Sequence, residues 1–210
     1  MKLYTHPGAS SLSVHILLRE IGRPFELEVV NVTAKRRSDG SDYRAVAPRG
    51  MVPVLELDDG GALTENMIIA QYICDAAERT DLMPQAGSVA RYRVMEWQSF
   101  VAAELHKSFV PLNWALPAEV RPLFINRIRN RLDMVEQRLV GPFLTGATFT
   151  AADAYLFVIA SWTRFYGIDI EDLPRLRGFL ARVGTRPSVH AALAAEGSGM
   201  VTLDEITPAP

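Results

Sequence analysis

The sequence predicts a small α/β domain followed by an all-α domain, and two observations support that fold class. Residues 1–78 alternate short strand-like runs with amphipathic helices. After residue 87 nearly every segment has helical spacing, with breaks that carry Pro or Gly. We therefore expect domains over residues 1–78 and 88–210, joined by a linker over residues 79–87.

The first domain has the element order β-α-β, an irregular polar loop, and then β-β-α. Its strands are expected at residues 2–5, 25–32, 53–57 and 62–64. A helix over about residues 11–22 is ended by Gly22 and Pro24. The turn "DDGG" (58–61) pairs the last two strands as a hairpin. Apolar residues at intervals of three and four then predict a helix over residues 65–78.

The second domain is predicted to consist of helices, at about residues 88–113, 118–140, 151–165, 174–184 and 188–195. Its clearest local signal is "TAAD" (150–153), a capping box in which Thr150 is the N-cap and Asp153 accepts from the Thr150 N–H. Phe149 is placed to act as the hydrophobic staple. We assign these residues to folding and not to catalysis.

The composition fits a globular protein that binds neither membrane nor nucleic acid. About half of the 210 residues are hydrophobic and the net charge is only −2. No apolar run approaches the roughly 20 residues that span a bilayer, and the first residues lack the apolar core of a secretory signal, so a cytoplasmic location is expected. The arginines of "NRIRNR" (126–131) do not share one helix face. The single cysteine, Cys74, is expected to be a small buried hydrophobe.

The block "MVPVLELDDGGALTEN" (51–66) contains the most informative residues. Pro53 cannot donate a ladder hydrogen bond and belongs at the start of a strand. A cis Val52–Pro53 bond would leave the Val52 backbone free to pair with an extended ligand, and an ordinary trans proline is the alternative.

Glu65 and Asn66 open a helix directly after a strand. The unpaired N–H groups and the dipole of that helix favour an anion, so a ligand carboxylate could bind there while Glu65 pairs with a neighbouring ammonium. A free α-amino acid end carries both groups. The alternative is that Thr64 or Asn66 merely caps the helix.

Two further positions have open interpretations. Ser10 and Ser11 stand at the start of the first helix, where a serine can be a simple N-cap or can present its hydroxyl to a ligand. His106 lies late in the first long helix of the second domain, and a lone helical histidine is usually a packed or surface residue. The four histidines show no clustered metal-ligand spacing, so no metal is expected.

Five motifs in order along the chain resemble the glutathione transferase family, with closest similarity to its bacterial beta class. They are "MKLY-HPGA-S", "LLRE-G-PFEL", "DYRAVAPRGMVPVLELDDG-LTE", "RYRVMEWQSFVAAELHKSF" and "FTAADAYLF". The resemblance covers essentially the whole chain. It implies the glutathione transferase fold, a thioredoxin-like N-terminal domain joined to an all-helical C-terminal domain.

The resemblance also implies a set of glutathione contacts. Val52 would pair with the cysteinyl backbone beside a cis Pro53, and Glu65 with the N–H of Asn66 would hold the γ-glutamyl end. The other residues at matching positions are Lys35 for the glycyl carboxylate, His106 facing the sulfur, and Ser99 and Glu104, sometimes across a dimer interface. Asn66 and Ser99 depart from the usual residues, a small residue and an asparagine, so only the backbone role of Asn66 transfers directly and the Ser99 contact is weakened.

Ser10 aligns with a position that holds cysteine in the beta class. A hydroxyl cannot form a mixed disulfide, so thiol–disulfide exchange through residue 10 is predicted to be absent. Conjugation survives, because a hydroxyl that donates to the sulfur of glutathione favours the thiolate. Ser11 or the N–H groups of residues 10–12 could supply a second bond. Tyr4 is a weaker candidate, because its ring could equally be buried.

The sequence therefore predicts a glutathione transferase whose thiolate attacks a small hydrophobic electrophile, with Ser10 and His106 as the catalytic residues. Glutathione is the co-substrate and no other cofactor is expected. Phe109 and Trp114 could wall the electrophile site, although core packing is the simpler interpretation of each. The resemblance implies a homodimer. The alternatives are a catalytically weak, ligandin-like glutathione-binding protein, and a glutathione-dependent dehalogenase or isomerase.

Overall fold

The computed structural model describes residues 1–197 and residue 201. Its N-terminal part contains one four-stranded sheet with the order β2-β1-β3-β4. The strands are β1 (Lys2–Thr5), β2 (Glu26–Val29), β3 (Val54–Glu56) and β4 (Ala62–Thr64). β1 and β2 are parallel, whereas β1–β3 and β3–β4 are antiparallel. This mixed sheet confirms the expected β-α-β unit followed by a hairpin.

The second strand is shorter than the sequence predicts, because local side-chain bonds end it. β2 stops at Val29, and the Asn31 side chain then accepts the backbone N–H groups of Thr33 and Ala34. Such an Asx turn competes with the strand ladder for the backbone. The polar loop continues through a short 3₁₀ turn at Tyr43–Ala45.

Two helices belong to the sheet: α1 (Ser11–Ile21) and α2 (Asn66–Ala76). The start of α1 follows β1 and the start of α2 follows β4, so both helix N-termini lie next to strand ends. Gly22 closes α1 with a φ of 76° that favours glycine. Cys74 of α2 is buried, as the sequence predicts, and burial raises the pKa of its thiol to about 12.

The C-terminal part is helical throughout. Its helices are α3 (Val89–Phe100), α4 (Lys107–Phe109), α5 (Arg121–Arg138), α6 (Ala151–Phe165), α7 (Pro174–Gly184) and α8 (Pro187–Glu196). The predicted helix over residues 88–113 is helical but changes its winding: Val101–His106 is a π-helix and Val110–Asn113 a 3₁₀ turn. A π-turn takes an extra residue per turn, which the spacing of apolar residues does not reveal.

The capping box is confirmed. The Asp153 carboxylate accepts from the N–H and the hydroxyl of Thr150, and also from the N–H of Leu144. Phe149 is buried against Phe143. Asp153 therefore joins the start of α6 to the preceding loop.

The helical part forms hydrogen bonds with the end of β1 and the loop between β1 and α1. The Trp162 indole donates to the Gly8 carbonyl at 2.8 Å, and the buried Glu196 carboxylate accepts from Thr5 and from the Gly8 N–H. The segment over residues 79–87 is packed as well, since Leu82 and Met83 are buried. The position of Ser10 is consequently set by both parts of the chain.

Three further observations on the described residues concern membrane spans, metal-ligand clusters and the arginine-rich segment. No helix in the described part of the chain is long and apolar enough to cross a membrane. Within residues 1–197 and 201, no group of three or more His, Cys, Asp or Glu side chains is placed to hold a metal ion. The arginines of the 126–131 segment are occupied: Arg127 and Arg131 pair with Glu104, and Arg129 with Asp172.

Candidate active site

A cleft of about 410 Å³ lies where the two parts of the chain meet. Its walls come from the start of α1, the loop before β3, the start of α2, the π-helix and α6. The lining residues are Ser10, Ala47, Pro48, Arg49, Met51, Val52, Pro53, Val54, Thr64, Glu65, Asn66, Ala102, His106, Lys107 and Tyr155.

Ser10 lies at the N-cap position of α1 but does not cap it with its side chain. Its carbonyl accepts from the Asn66 amide at 2.8 Å and from the Ser13 hydroxyl at 2.8 Å. Its hydroxyl makes no hydrogen bond to any residue that the structure describes. The N-cap alternative is therefore wrong for Ser10, and its hydroxyl is available to a molecule in the cleft.

Ser11 points the other way. It is fully buried, and its oxygen lies 2.9 Å from the Thr5 hydroxyl and accepts the His6 N–H at 3.2 Å. Successive residues at the start of a helix face different directions, so the hydroxyls of Ser10 and Ser11 cannot share one environment. The structure does not bring Ser11 to the cleft.

The Val52–Pro53 peptide bond is cis, so the trans alternative is wrong. Both residues line the cleft. The preceding loop is fixed to the domain core, because the hydroxyl of the buried Tyr43 donates to the Met51 carbonyl at 3.0 Å. The edge of the cleft at residues 51–53 is thus held by the body of the domain.

Glu65 and Asn66 lie side by side at the start of α2, and neither caps that helix with its side chain. Glu65 adopts a φ of 70° and pairs with Arg49. We call the exposed edge of the cleft that these two residues form the rim. Asn66 is buried and donates to the Ser10 carbonyl and to the Ser13 hydroxyl, at 2.8 and 2.7 Å. The amide of Asn66 therefore ties the start of α2 to the start of α1.

Lys35 lies close to this rim but not among the lining residues. It has a φ of 55°, and its ammonium donates to the Gly50 carbonyl at 2.8 Å. This bond ties Lys35 to the loop that carries Arg49 and Met51.

The opposite wall is aromatic, with His106 partly buried and Tyr155, Trp162 and Phe109 buried. His106 ends the π-helix, and its Nδ1 lies 3.0 Å from the Tyr155 hydroxyl. The Trp162 ring meets the imidazole edge-on, with centroids 5.0 Å apart. Phe109 packs against the other side of Trp162. The imidazole is consequently fixed on two sides by α6.

Burial controls the protonation of this wall. It lowers the pKa of His106 to about 4, with the charge of neighbouring Lys107 as the second cause. Burial also raises the pKa of Tyr155 well above its usual range, and the Glu65 carboxylate adds to that shift. Both rings are therefore neutral near pH 7.

Five further predicted positions are not brought to the cleft of the single chain. Ser99 is exposed, and the Glu104 carboxylate is engaged by Arg127 and Arg131. Phe109 is fully buried and belongs to the core, while Trp114 is exposed. Tyr4 is buried with its hydroxyl on Glu56.

Sequence reasoning missed three polar residues of the cleft: Arg49, Lys107 and Tyr155. Tyr155 carried a usable signal, because it follows the capping box by two residues and so lies in the first turns of α6. Lys107 stands next to His106. Arg49 had no signal, since its partner Glu65 is distant in sequence.

Comparison with known proteins gives the family. The model of the glutathione S-transferase N-terminal domain matches residues 9–76, and that of the C-terminal domain matches residues 118–182. The glutathione S-transferase GstA of Escherichia coli O157:H7 is 41% identical over 94% of this chain and 99% of its own length. The chain belongs to the glutathione S-transferase family.

Solved structures place it more narrowly. A ternary complex of BphK, a bacterial glutathione S-transferase, is 44% identical with a TM-score of 0.91, and the match covers 94% of this chain and all of that one. The bacterial beta class enzyme of Sphingomonas chungbukensis is 40% identical with a TM-score of 0.90, over 94% of this chain and 99% of that one. A sphingomonad glutathione S-transferase complexed with glutathione is 39% identical with a TM-score of 0.90, over 95% and 100%. The similarity to the bacterial beta class is therefore confirmed.

Proposed function

We propose that this chain is a glutathione transferase that uses Ser10 in place of a cysteine. Glutathione occupies the cleft, its thiol ionises beside Ser10, and the thiolate attacks a small hydrophobic electrophile. The observation that carries the proposal is the Ser10 hydroxyl, which lines the cleft at the start of α1 with no described partner.

The rim of the sheet domain binds the peptide. The backbone of Val52 pairs with the cysteinyl unit, and Glu65 with the N–H of Asn66 holds the γ-glutamyl ammonium and carboxylate. Arg49 already neutralises Glu65, so it stays close to the same end of the ligand. Lys35 turns from the Gly50 carbonyl to the glycyl carboxylate.

Ser10 shifts the ionisation of the thiol. A free thiol has a pKa of about 8.5, so only a few per cent is thiolate at pH 7. A charge-assisted hydrogen bond contributes about 1.5 to 3 kcal/mol, and lowering the pKa by about two units requires about 2.7 kcal/mol. The Ser10 hydroxyl supplies such a bond, and the dipole of α1 and the ammonium of Lys107 favour the same anion. Ser11 has no part in this step.

The reaction joins the glutathione sulfur to an electrophilic carbon. The new S–C bond takes the thiolate electron pair, and either a leaving group departs with its bonding electrons or the resulting carbanion takes a proton from water. The helical wall around His106 faces the reacting sulfur. The product is a thioether.

We further propose a cytoplasmic homodimer. Large apolar side chains are exposed on the loop before β3, on α2 and on α3: Met51, Ile68, Tyr72, Val89 and Tyr92. Exposed apolar side chains favour association with a second copy when they are brought together in one interface. In that dimer Ser99 and Glu104 would reach the partner's glutathione.

Replacing Ser10 by alanine tests the proposal. Ser10→Ala should lower kcat/KM with chlorodinitrobenzene by roughly 10- to 100-fold at neutral pH, the equivalent of one charge-assisted hydrogen bond. Glutathione affinity, measured by calorimetry, should change little. Ser11→Ala is the matched control: it removes a buried bond and lowers stability but should leave the pH dependence of turnover unchanged.

Two results would count against it. Unchanged turnover in Ser10→Ala would remove Ser10 from the chemistry. Glutathione binding without any conjugation by the wild-type protein would instead favour the ligandin-like alternative.

A further inference from the structure

The contact between His106 and Tyr155 is the feature of the cleft that the proposed function leaves unused. The two side chains belong to different helical elements, the π-helix and α6, and meet through Nδ1 of the imidazole and the phenol at 3.0 Å. We propose that Tyr155 is a positioning residue that donates to Nδ1 of His106 and so fixes the imidazole with its proton on Nε2. This rests on the proposed function, because His106 then acts on the bound sulfur.

Hydrogen-bond accounting sets the direction of that bond. Tyr155 is only 3% exposed, and within residues 1–197 and 201 its hydroxyl has Nδ1 of His106 as its sole hydrogen-bond partner. A buried hydroxyl that keeps its proton but finds no acceptor is strongly disfavoured. If Nδ1 carried the proton, it would donate to the phenol oxygen, and the tyrosine proton would have no acceptor among the described residues. The phenol therefore donates and Nδ1 accepts.

The protonation states agree with that direction. Burial keeps His106 neutral down to about pH 4 and keeps the Tyr155 phenol protonated. A neutral imidazole has one donor and one acceptor nitrogen. Because Nδ1 is the acceptor, Nε2 is the donor.

Packing holds the ring in that orientation. Trp162 meets the imidazole at an interplanar angle of 74°, and the Tyr155 ring meets it at 81°. Tyr155 follows the capping box, so Thr150 and Asp153 fix the turn of α6 from which it projects. The capping box thus acts on the cleft through Tyr155.

The chemical consequence concerns the thiol proton. An imidazole with its proton on Nε2 donates to an anionic sulfur and stabilises it, but it has no free lone pair with which to take the proton from the thiol. His106 is then a hydrogen-bond donor to the thiolate and not its general base. The proton leaves to solvent when glutathione binds, and the charged groups that face the same cleft are Arg49, Glu65 and Lys107.

The decisive measurement is the tautomer of His106 in the free wild-type protein. Nitrogen-15 NMR of the imidazoles, with the His106 signals assigned by their loss in His106→Gln, distinguishes a protonated Nε2 from a protonated Nδ1. The proposal requires the proton on Nε2 near neutral pH. A proton on Nδ1 would overturn it. This spectrum needs no glutathione, so a failure of the proposed function and a failure of this inference are separate results.

Removing the phenol tests the coupling to catalysis. In Tyr155→Phe the His106 spectrum should move toward a mixture of tautomers. Because one hydrogen bond is lost, kcat should fall roughly 10-fold, whereas KM for glutathione should change little. Tyr166→Phe removes a phenol at the other end of the same helix, where it donates to Asn113, and should change neither quantity. An unaltered tautomer in a folded Tyr155→Phe would overturn the proposal. If that variant does not fold, the wild-type spectrum still decides.

Discussion

The two walls of the cleft differ in how they carry polar groups. The rim contributed by the sheet domain uses exposed charge: Glu65 and Arg49 are 62% and 68% exposed and pair with each other. The helical wall uses neutral groups, the partly buried His106 and the buried Tyr155, joined by one hydrogen bond. Exposed charges hold a flexible peptide at modest cost, whereas buried groups feel a low dielectric and respond strongly to a nearby anion. We infer that the rim binds and the helical wall tunes chemistry.

The largest effect on stability should come from Asp153, at the start of the helix α6 that carries Tyr155. Asp153→Ala leaves the buried N–H groups of Leu144 and Thr150 without an acceptor and removes the cap of α6. The free energy of unfolding should fall by roughly 3 to 4 kcal/mol, from one lost cap and two unsatisfied donors. Denaturant unfolding measures it. Asp172→Ala, which breaks an exposed pair with Arg129, should cost less than about 1 kcal/mol. Equal losses in both variants would mean that the capping box does not anchor this wall.

A pH effect of similar size follows from His106. The unfolded histidine takes up a proton near its ordinary pKa of about 6.5, but the folded one stays neutral to about 4. The unfolded state therefore binds more protons in this window, and stability rises with pH across it. Between pH 6.5 and pH 4 this group should remove up to about 3 kcal/mol of stability.

The comparison that isolates this term is wild type against His106→Gln. As the pH falls through that window, wild type should lose stability relative to His106→Gln. Above about pH 7 the difference between their unfolding free energies should be constant. A difference that does not change with pH would place His106 in a solvated environment and would remove the contrast between the walls.

A substitution at the rim formed by Arg49 and Glu65 should have a smaller effect, and the effect should be on glutathione binding. Glu65→Gln removes the charge that we propose pairs with the γ-glutamyl ammonium, and an exposed pair contributes up to about 1 kcal/mol. We expect KM for glutathione to rise roughly fivefold with kcat nearly unchanged. Glu78→Gln makes the same charge change beyond the other end of α2 and should leave KM as it is. A fall in kcat without a change in KM would contradict the division between a binding rim and a chemical wall.

Features set by short-range rules could be predicted from the sequence. The capping box at residues 150–153 follows from two side chains three residues apart, and the helix starts after β1 and β4 follow from strand and turn signals. Ser10, Val52, Pro53, Glu65 and Asn66 all line one cleft, and their contacts with glutathione stay a prediction.

Features set by packing between distant elements could not be predicted. The opposite directions of Ser10 and Ser11 depend on Thr5 of the neighbouring strand. The engagement of Glu104 depends on the arginines of α5, and no residue pattern in the sequence marks the π-helix that ends at His106. Asn66 is the clearest case: the sequence marked it as a departure, and the structure uses its amide to join two helix starts.

The central claim is that the cleft activates glutathione without a cysteine. The most direct test is the absorbance of bound thiolate at about 240 nm, titrated from about pH 5 to about pH 9 in wild type and in Ser10→Ala. The account predicts a thiolate that forms well below pH 8 in wild type and at clearly higher pH in the variant. Glutathione that binds wild type but ionises only near its free pKa would contradict it.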